Sequence, residues 1–206
     1  KQGVEQEKRR RLTVEILSRV IGARNGENAV HDSHVGTITR LLLEKITEKT
    51  DRYDLSWTER QAMTTAVSFH DIGKIGIEEK LLHKENPTEK EKERLREHTV
   101  IGDEILSSLR EYQREDLVKY ARQISRWHHE RYDGSGYPDG LKGEEIPIAA
   151  QVVGLADTYE EIMEERRGCS PEEVIRVLQE EYRDAFQPLL LECMWELKDK
   201  IQEVQD

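Results

Sequence analysis

Apolar residues return along this chain every three or four positions, the period of an amphipathic helix. Leu12, Ile16 and Val20, with Leu17 and Ile21 beside them, predict a first helix over residues 2–24. Its start, Glu5 to Arg11, is almost all charge and reads as a solvated helix end. The alternative is the tail of a signalling helix arriving from an upstream domain. Gly and Asn breakers predict a loop from Gly22 to Asp32. A helix then runs from about His34 to Lys49, with Val35, Ile38, Leu41, Leu42 and Ile46 facing inward.

Helix starts are written at three later points. Ser56 with Glu59 forms a capping box and opens a helix through Ala62, Ala66 and Phe69 into His70-Asp71, where Gly73 lets the backbone turn. Ile77 to His83 suits a short helix, ended by Asn86-Pro87. Thr88 and Glu91 cap the next helix, which carries His98, Ile101, Ile105 and Leu106. Another helix, from about Glu115 through Leu117, Tyr120, Ile124 and Trp127, ends at His128-His129. Tyr132 to Pro147 is too rich in Gly and Pro for a helix. Ile148 to Glu165 returns to the helical pattern and holds Asp157. Ser170-Pro171 starts a further helix, with Glu173 closing its box. After Pro188, residues Leu190, Met194, Leu197, Ile201 and Val204 form a two-heptad seam. So short a seam is expected to pack on the core, with pairing to a second chain as the alternative.

Composition narrows the class. The chain has 206 residues, 35% hydrophobic and 36% charged, which suits amphipathic helices around a lean core. Its net charge of −11 argues against polymeric nucleic acid and anionic membranes as partners. A small phosphate ligand is compatible with that charge if metals and local Lys or Arg reverse the field in one cleft. No apolar run approaches the roughly 20 residues that span a bilayer. Cys169 and Cys193 show neither metal-ligand spacing nor a disulfide framework, which suits a reducing cytoplasm. The chain begins at Lys1, so an upstream receiver or sensor domain is an expectation.

The candidate chemistry lies in seven histidines: His31, His34, His70, His83, His98, His128 and His129. A lone histidine is more often packed than ligating. Their company changes the reading. His70 precedes Asp71, His128 precedes His129, and Asp157 follows the apolar run Val152 to Ala156. A buried Asp costs several kcal/mol unless it is paired or bound to a cation. Imidazole and carboxylate donors together suit iron, manganese or zinc better than calcium.

The strings His70-Asp71-Ile72-Gly73-Lys74, His98-Thr99-Val100-Ile101-Gly102, His128-His129 and Gly136-Tyr137-Pro138 stand in a particular order. Over about residues 29–190 that order resembles the HD-GYP family, metal-dependent phosphodiesterases of cyclic dinucleotides. The resemblance implies an all-α fold, an HD-type helical bundle extended by a GYP loop and C-terminal helices. It divides the chain into a linker or signalling helix, 1–28, and a catalytic domain, 29–206. It implies two divalent metals, iron or manganese first and zinc next. One would take His34, His70 and Asp157; the other would take His98, His128 and His129. Asp71 would bridge them, and Lys74 would steady the scissile phosphate. Gly136, Tyr137 and Pro138 would line the substrate cleft, dock a partner or shape the fold.

Two departures matter. Some members carry a Glu one turn before the first His and bind a third metal; before His34 that position is Val30, so two metals are expected. The family's Arg-Pro-Tyr-Arg string is reduced here to Arg166. That arginine is either a phosphate contact or a solvated helix end. The implied function is hydrolysis of cyclic di-GMP to a linear dinucleotide or GMP. The alternatives are a phosphohydrolase of another nucleotide, such as a hybrid cyclic dinucleotide, and a signalling module without catalysis. Terminal helices leave room for a homodimer.

Overall fold

The computed structural model describes residues 12–14, 16, 19–22 and 29–205. Within the expected first helix, the described positions are helical, and Leu12, Ile16 and Val20 remain more than half exposed. Glu5 to Arg11 lies outside the described residues, as does most of the expected loop.

From Ala29 onward the helices are α1 (Ala29–Lys49), α2 (Trp57–Ala66), α3 (Glu79–Leu82), α4 (Glu89–Arg96) and α5 (His98–Ser107). They continue as α6 (Asp116–Trp127), α7 (Ile148–Glu165), α8 (Pro171–Glu181), α9 (Pro188–Glu196) and α10 (Lys198–Gln205). No strand occurs among the described residues. The three capping boxes form as the sequence implies, at Ser56, Thr88 and Ser170.

The bundle is built on α1 and α7, which pack along each other. On α1, Val35, Ile38, Leu42, Leu43 and Ile46 are wholly buried. Each such side chain stabilises the fold by about 1.5–3 kcal/mol relative to exposure. Every α7 residue from Ala149 to Glu160 is buried, as expected of a helix apolar on most sides. Helices α2 and α5 pack on α6, while α9 and α10 cover α1 from the other side.

Three expectations are corrected. First, α1 begins at Ala29 rather than His34, which brings His31 onto the helix. Second, the helix expected to run through His98 breaks at Glu97. There the His98 ring and the Thr99 hydroxyl bond the carbonyls of Leu95 and Arg96, at 2.7 and 2.9 Å. Those side-chain bonds compete with continuation of the helix. Third, Gly73 has no left-handed backbone. It is small because a Cβ there would lie 1.8 Å from the His98 carbonyl oxygen. The terminal seam is buried by its own chain at Leu190, Met194, Leu197 and Ile201, and it too breaks, at Leu197.

Candidate metal centre

The helix ends converge on two adjoining groups of ligand-type side chains. One comprises His31, His70 and Asp157; the other comprises Asp71, His98, His128 and His129. Within each group the candidate ligand atoms lie within 4.8 Å of one another. Asp71 stands between the groups. Its Oδ2 is 3.3 Å from His70 Nε2, and its Oδ1 is 3.2 Å from His98 Nε2 and 3.8 Å from His128 Nε2. Gly154 lets α7 approach this point, since a Cβ there would sit 2.2 Å from the His128 carbonyl oxygen.

Three of the rings are oriented by the backbone. Nδ1 of His70, His98 and His128 faces the carbonyls of Val67, Leu95 and Ile124, at 2.9, 2.7 and 2.9 Å. A carbonyl only accepts, so each Nδ1 carries a proton and donates it. Nε2 of each ring is therefore turned into the centre. Those three Nε2 atoms and Asp71 Oδ1 are buried without a hydrogen-bond partner. Buried polar atoms left this way cost free energy, and backbone-oriented imidazoles of this kind are how proteins present metal ligands. The donor set, imidazole and carboxylate, fits a transition-metal ion or zinc.

Electrostatics divide the two groups. Burial opposes a charge on His31, but its 3.1 Å hydrogen bond to Asp157 and the attraction of that carboxylate raise it to about 9. Burial likewise opposes the charge of Asp157, yet the His31 hydrogen bond and the His70 charge hold it well below the usual range. His70 is pushed up by Asp71 and Asp157 despite complete burial. In the second group burial prevails. It lowers His98, takes His128 down to about 3 and, with the charges of its neighbours, depresses His129 strongly. Asp71 is held low by Lys74, whose Nζ is 2.6 Å from Oδ2, and by His70, against the effect of burial.

Of the residues singled out from the sequence, His70, Asp71, His98, His128, His129 and Asp157 come together. His34 does not belong to either group. Its Nδ1 is 3.2 Å from Glu160 Oε2, one helical turn along, and it is His31 that stands with His70 and Asp157, its Nε2 3.1 Å from Asp157 Oδ1. The reason is one of register. His31 continues the fully buried stripe of Val35, Ile38 and Leu42, whereas His34 heads the flank that leads to the partly exposed Lys45. Val30 is therefore not the position one turn before the grouped histidine of α1. The residue one turn before His31 is Glu27, which lies outside the described residues.

A cleft of about 410 Å³ opens over the second group, with His98 and His129 on its wall. Lys74, Lys92, Arg96, Tyr137 and Glu161 also line it. The Tyr137 ring stacks on His129, with centroids 4.8 Å apart, and the Arg96 guanidinium carbon lies 5.1 Å from the centroid of the Tyr137 ring. Gly136 packs on the Glu130–Arg131 backbone, and Pro138 follows through a cis peptide. Glu130 holds the rest of this loop by accepting from the amides of Asp139, Gly140 and Leu141 at 2.7, 3.0 and 3.0 Å. Glu161 has accessible surface but sits in a recess; this partial desolvation, with the nearby Asp157 charge, pushes it up to about 8. Arg166 is not among the cleft residues and pairs with Glu181 at 3.1 Å. Arg96, Lys92, Glu130 and Glu161 were missed from the sequence. Lys92 and Arg96 were legible only as an i,i+4 pair on a charged helix, which is too common a pattern to signal a site.

This fold and these motifs define a family. The HD domain model matches residues 15–190, and the chain belongs to the HD domain family. Its motifs and relatives place it with the HD-GYP type within that family. It is 33% identical to a cyclic di-GMP phosphodiesterase of Thermotoga maritima, over 93% of this chain and 50% of that protein. It is 35% identical to the cyclic di-GMP phosphodiesterase response regulator RpfG of Xanthomonas campestris, over 79% of this chain and 40% of the relative. A 3'3'-cGAMP-specific phosphodiesterase 2 of Vibrio cholerae is 29% identical over 89% of this chain and 34% of its own length. The chain thus spans half or less of the curated relatives it matches. Among solved structures, Bd1817, an HDGYP-type protein of Bdellovibrio bacteriovorus, aligns with a TM-score of 0.62 at 17% identity. That alignment covers 81% of this chain and 51% of the other, and it supports the fold alone. No helix among the described residues is long and apolar enough to cross a membrane.

Proposed function

We propose that this chain is the catalytic domain of a metal-dependent phosphodiesterase that hydrolyses cyclic di-GMP to a linear dinucleotide or GMP. The observation that carries the reading is Asp71, with one oxygen toward each histidine group and buried, partnerless Nε2 atoms around it. His31, His70 and Asp157 would hold one divalent ion, and His98, His128 and His129 the other, with Asp71 bridging. When bound, such ions supply Lewis-acid charge at a phosphodiester and lower the pKa of water. The chain's own residues do the rest. The carbonyl-anchored rings hold the donor atoms in place before substrate arrives. Lys74 puts a positive charge beside Asp71 where negative charge builds on the phosphate. Tyr137 and its stack on His129 form one side of the cleft.

Two ions per chain, iron or manganese before zinc, complete the proposal. Metal analysis of the loaded protein decides the count; two supports it and three overturns it. The activity test is hydrolysis of cyclic di-GMP by anaerobically purified protein loaded with iron or manganese, with products separated by chromatography. Turnover that Asp71→Ala abolishes is the expected result. Equal turnover by Asp71→Ala sinks the assignment.

A second reading is favoured by the Vibrio cholerae relatives named as 3'3'-cGAMP-specific. Rates on both cyclic dinucleotides separate the two, and a clear preference for the hybrid substrate selects this one. A cytoplasmic location, an upstream receiver or sensor domain and a homodimer belong to the same proposal. The dimer would use the N-terminal helix, where Leu12, Ile16 and Val20 are exposed, since the C-terminal seam is buried in its own chain.

A further inference from the structure

A cyclic dinucleotide carries two phosphates, and a metal centre engages only the one being cut. The other enters a chain of net charge −11, so it needs a cation of its own. Arg166, where the family resemblance would put a substrate arginine, is paired with Glu181 outside the cleft. The cations that do line the cleft are Lys74, Lys92 and Arg96. Lys74 is bound to Asp71 beside the metal ligands. Lys92 and Arg96 are one helical turn apart on α4, and so share the wall facing the opening.

Arg96 is the better placed of the pair. Lys92 bonds Glu89 at 2.8 Å, whereas Arg96 makes no ion pair among the described residues. Its guanidinium lies over Tyr137, whose ring stacks in turn on the ligand-type His129. Stacking holds the planar fork in orientation while leaving its N–H edges free, and that fork matches phosphate oxygens bidentately. Glu161 lines the cleft from α7 and offers the phosphate no cation, which leaves the α4 wall as the attractive one. Resting on the phosphodiesterase reading above, we infer that Arg96, flanked by Lys92, binds the phosphate of the cyclic dinucleotide that is not being cut.

The test uses the whole metal-loaded chain and cyclic di-GMP as the probe. Values of kcat and KM, metal content and melting temperature are measured for wild type, Arg96→Gln, Arg96→Lys and Arg110→Gln. The last removes an exposed charge outside the cleft. A charge-assisted contact predicts a KM for Arg96→Gln raised about tenfold or more, with kcat changed less than about twofold. Metal content should be unchanged, Arg96→Lys should recover part of the KM, and Arg110→Gln should leave it alone. A KM for Arg96→Gln equal to wild type overturns the inference and leaves the phosphodiesterase reading standing. A fall in kcat together with metal content also overturns it, since that marks a merely structural role through Tyr137. If wild type itself turns over no cyclic dinucleotide, the phosphodiesterase reading fails and takes the inference with it.

Discussion

The two halves of the centre use the same donor chemistry and stand in opposite states. Around Asp157, a direct hydrogen bond from His31 makes an ion pair, and both groups keep their charge despite burial. Around His128 there is no such bond. His98, His128 and His129 crowd one another, with ring centroids 4.0 to 5.6 Å apart, and burial keeps them neutral. Ligand identity alone therefore does not set readiness for a metal. An ion entering the first group must displace a proton from His31, whereas the second group already presents neutral imidazoles. Metal affinity at the first group should therefore climb with pH up to about 9.

The largest effect is expected at the two α1 histidines, replaced one at a time. His31→Ala should remove one metal and lower turnover about a thousandfold, while His34→Ala should change it less than about fivefold. Metal analysis and steady-state rates check this; equal losses would erase the distinction between the two rungs of α1. Next in size is Gly154→Ala. The added Cβ meets the His128 backbone, so helix α7 must shift, at a cost of about 3 kcal/mol read by chemical denaturation.

Acid then separates the halves in the metal-free protein. The second-group histidines have folded pKa values below their unfolded ones. Their contribution is complete above about pH 6.5 and is lost as pH falls below it. His31 is raised, so its contribution is complete below about pH 6.5 and is lost as pH rises through about 9. A stability profile flat between pH 4 and 9 would contradict both halves of the comparison. The smallest effect is Arg166→Ala, which breaks an ion pair about half exposed on each side. It should shift stability by no more than about 0.5 kcal/mol.

Much of this was legible because it is local. Capping boxes act over four residues, and Ser56, Thr88 and Ser170 could be read directly. The histidine strings at 70, 98 and 128 were legible because their neighbours are unusual. His31 was not, because two histidines one turn apart differ only in which side of a buried stripe they touch. The Gly22 to Asn28 breakers also drew the predicted helix start too far along the chain. The break at Glu97 depends on two side-chain bonds that no periodicity reveals. The cleft was least legible of all. Arg96, Tyr137 and Glu161 come from three separate segments, and only tertiary packing makes them neighbours.

The pairing of His31 with Asp157 joins positions 126 residues apart. At a synthesis rate of about 5–20 residues per second, α1 leaves the ribosome roughly ten seconds before α7 exists. During that interval its imidazoles meet the cell's metal pool with no partner carboxylate and no fixed geometry. Selection among competing ions therefore falls to the assembled bundle rather than to the nascent chain.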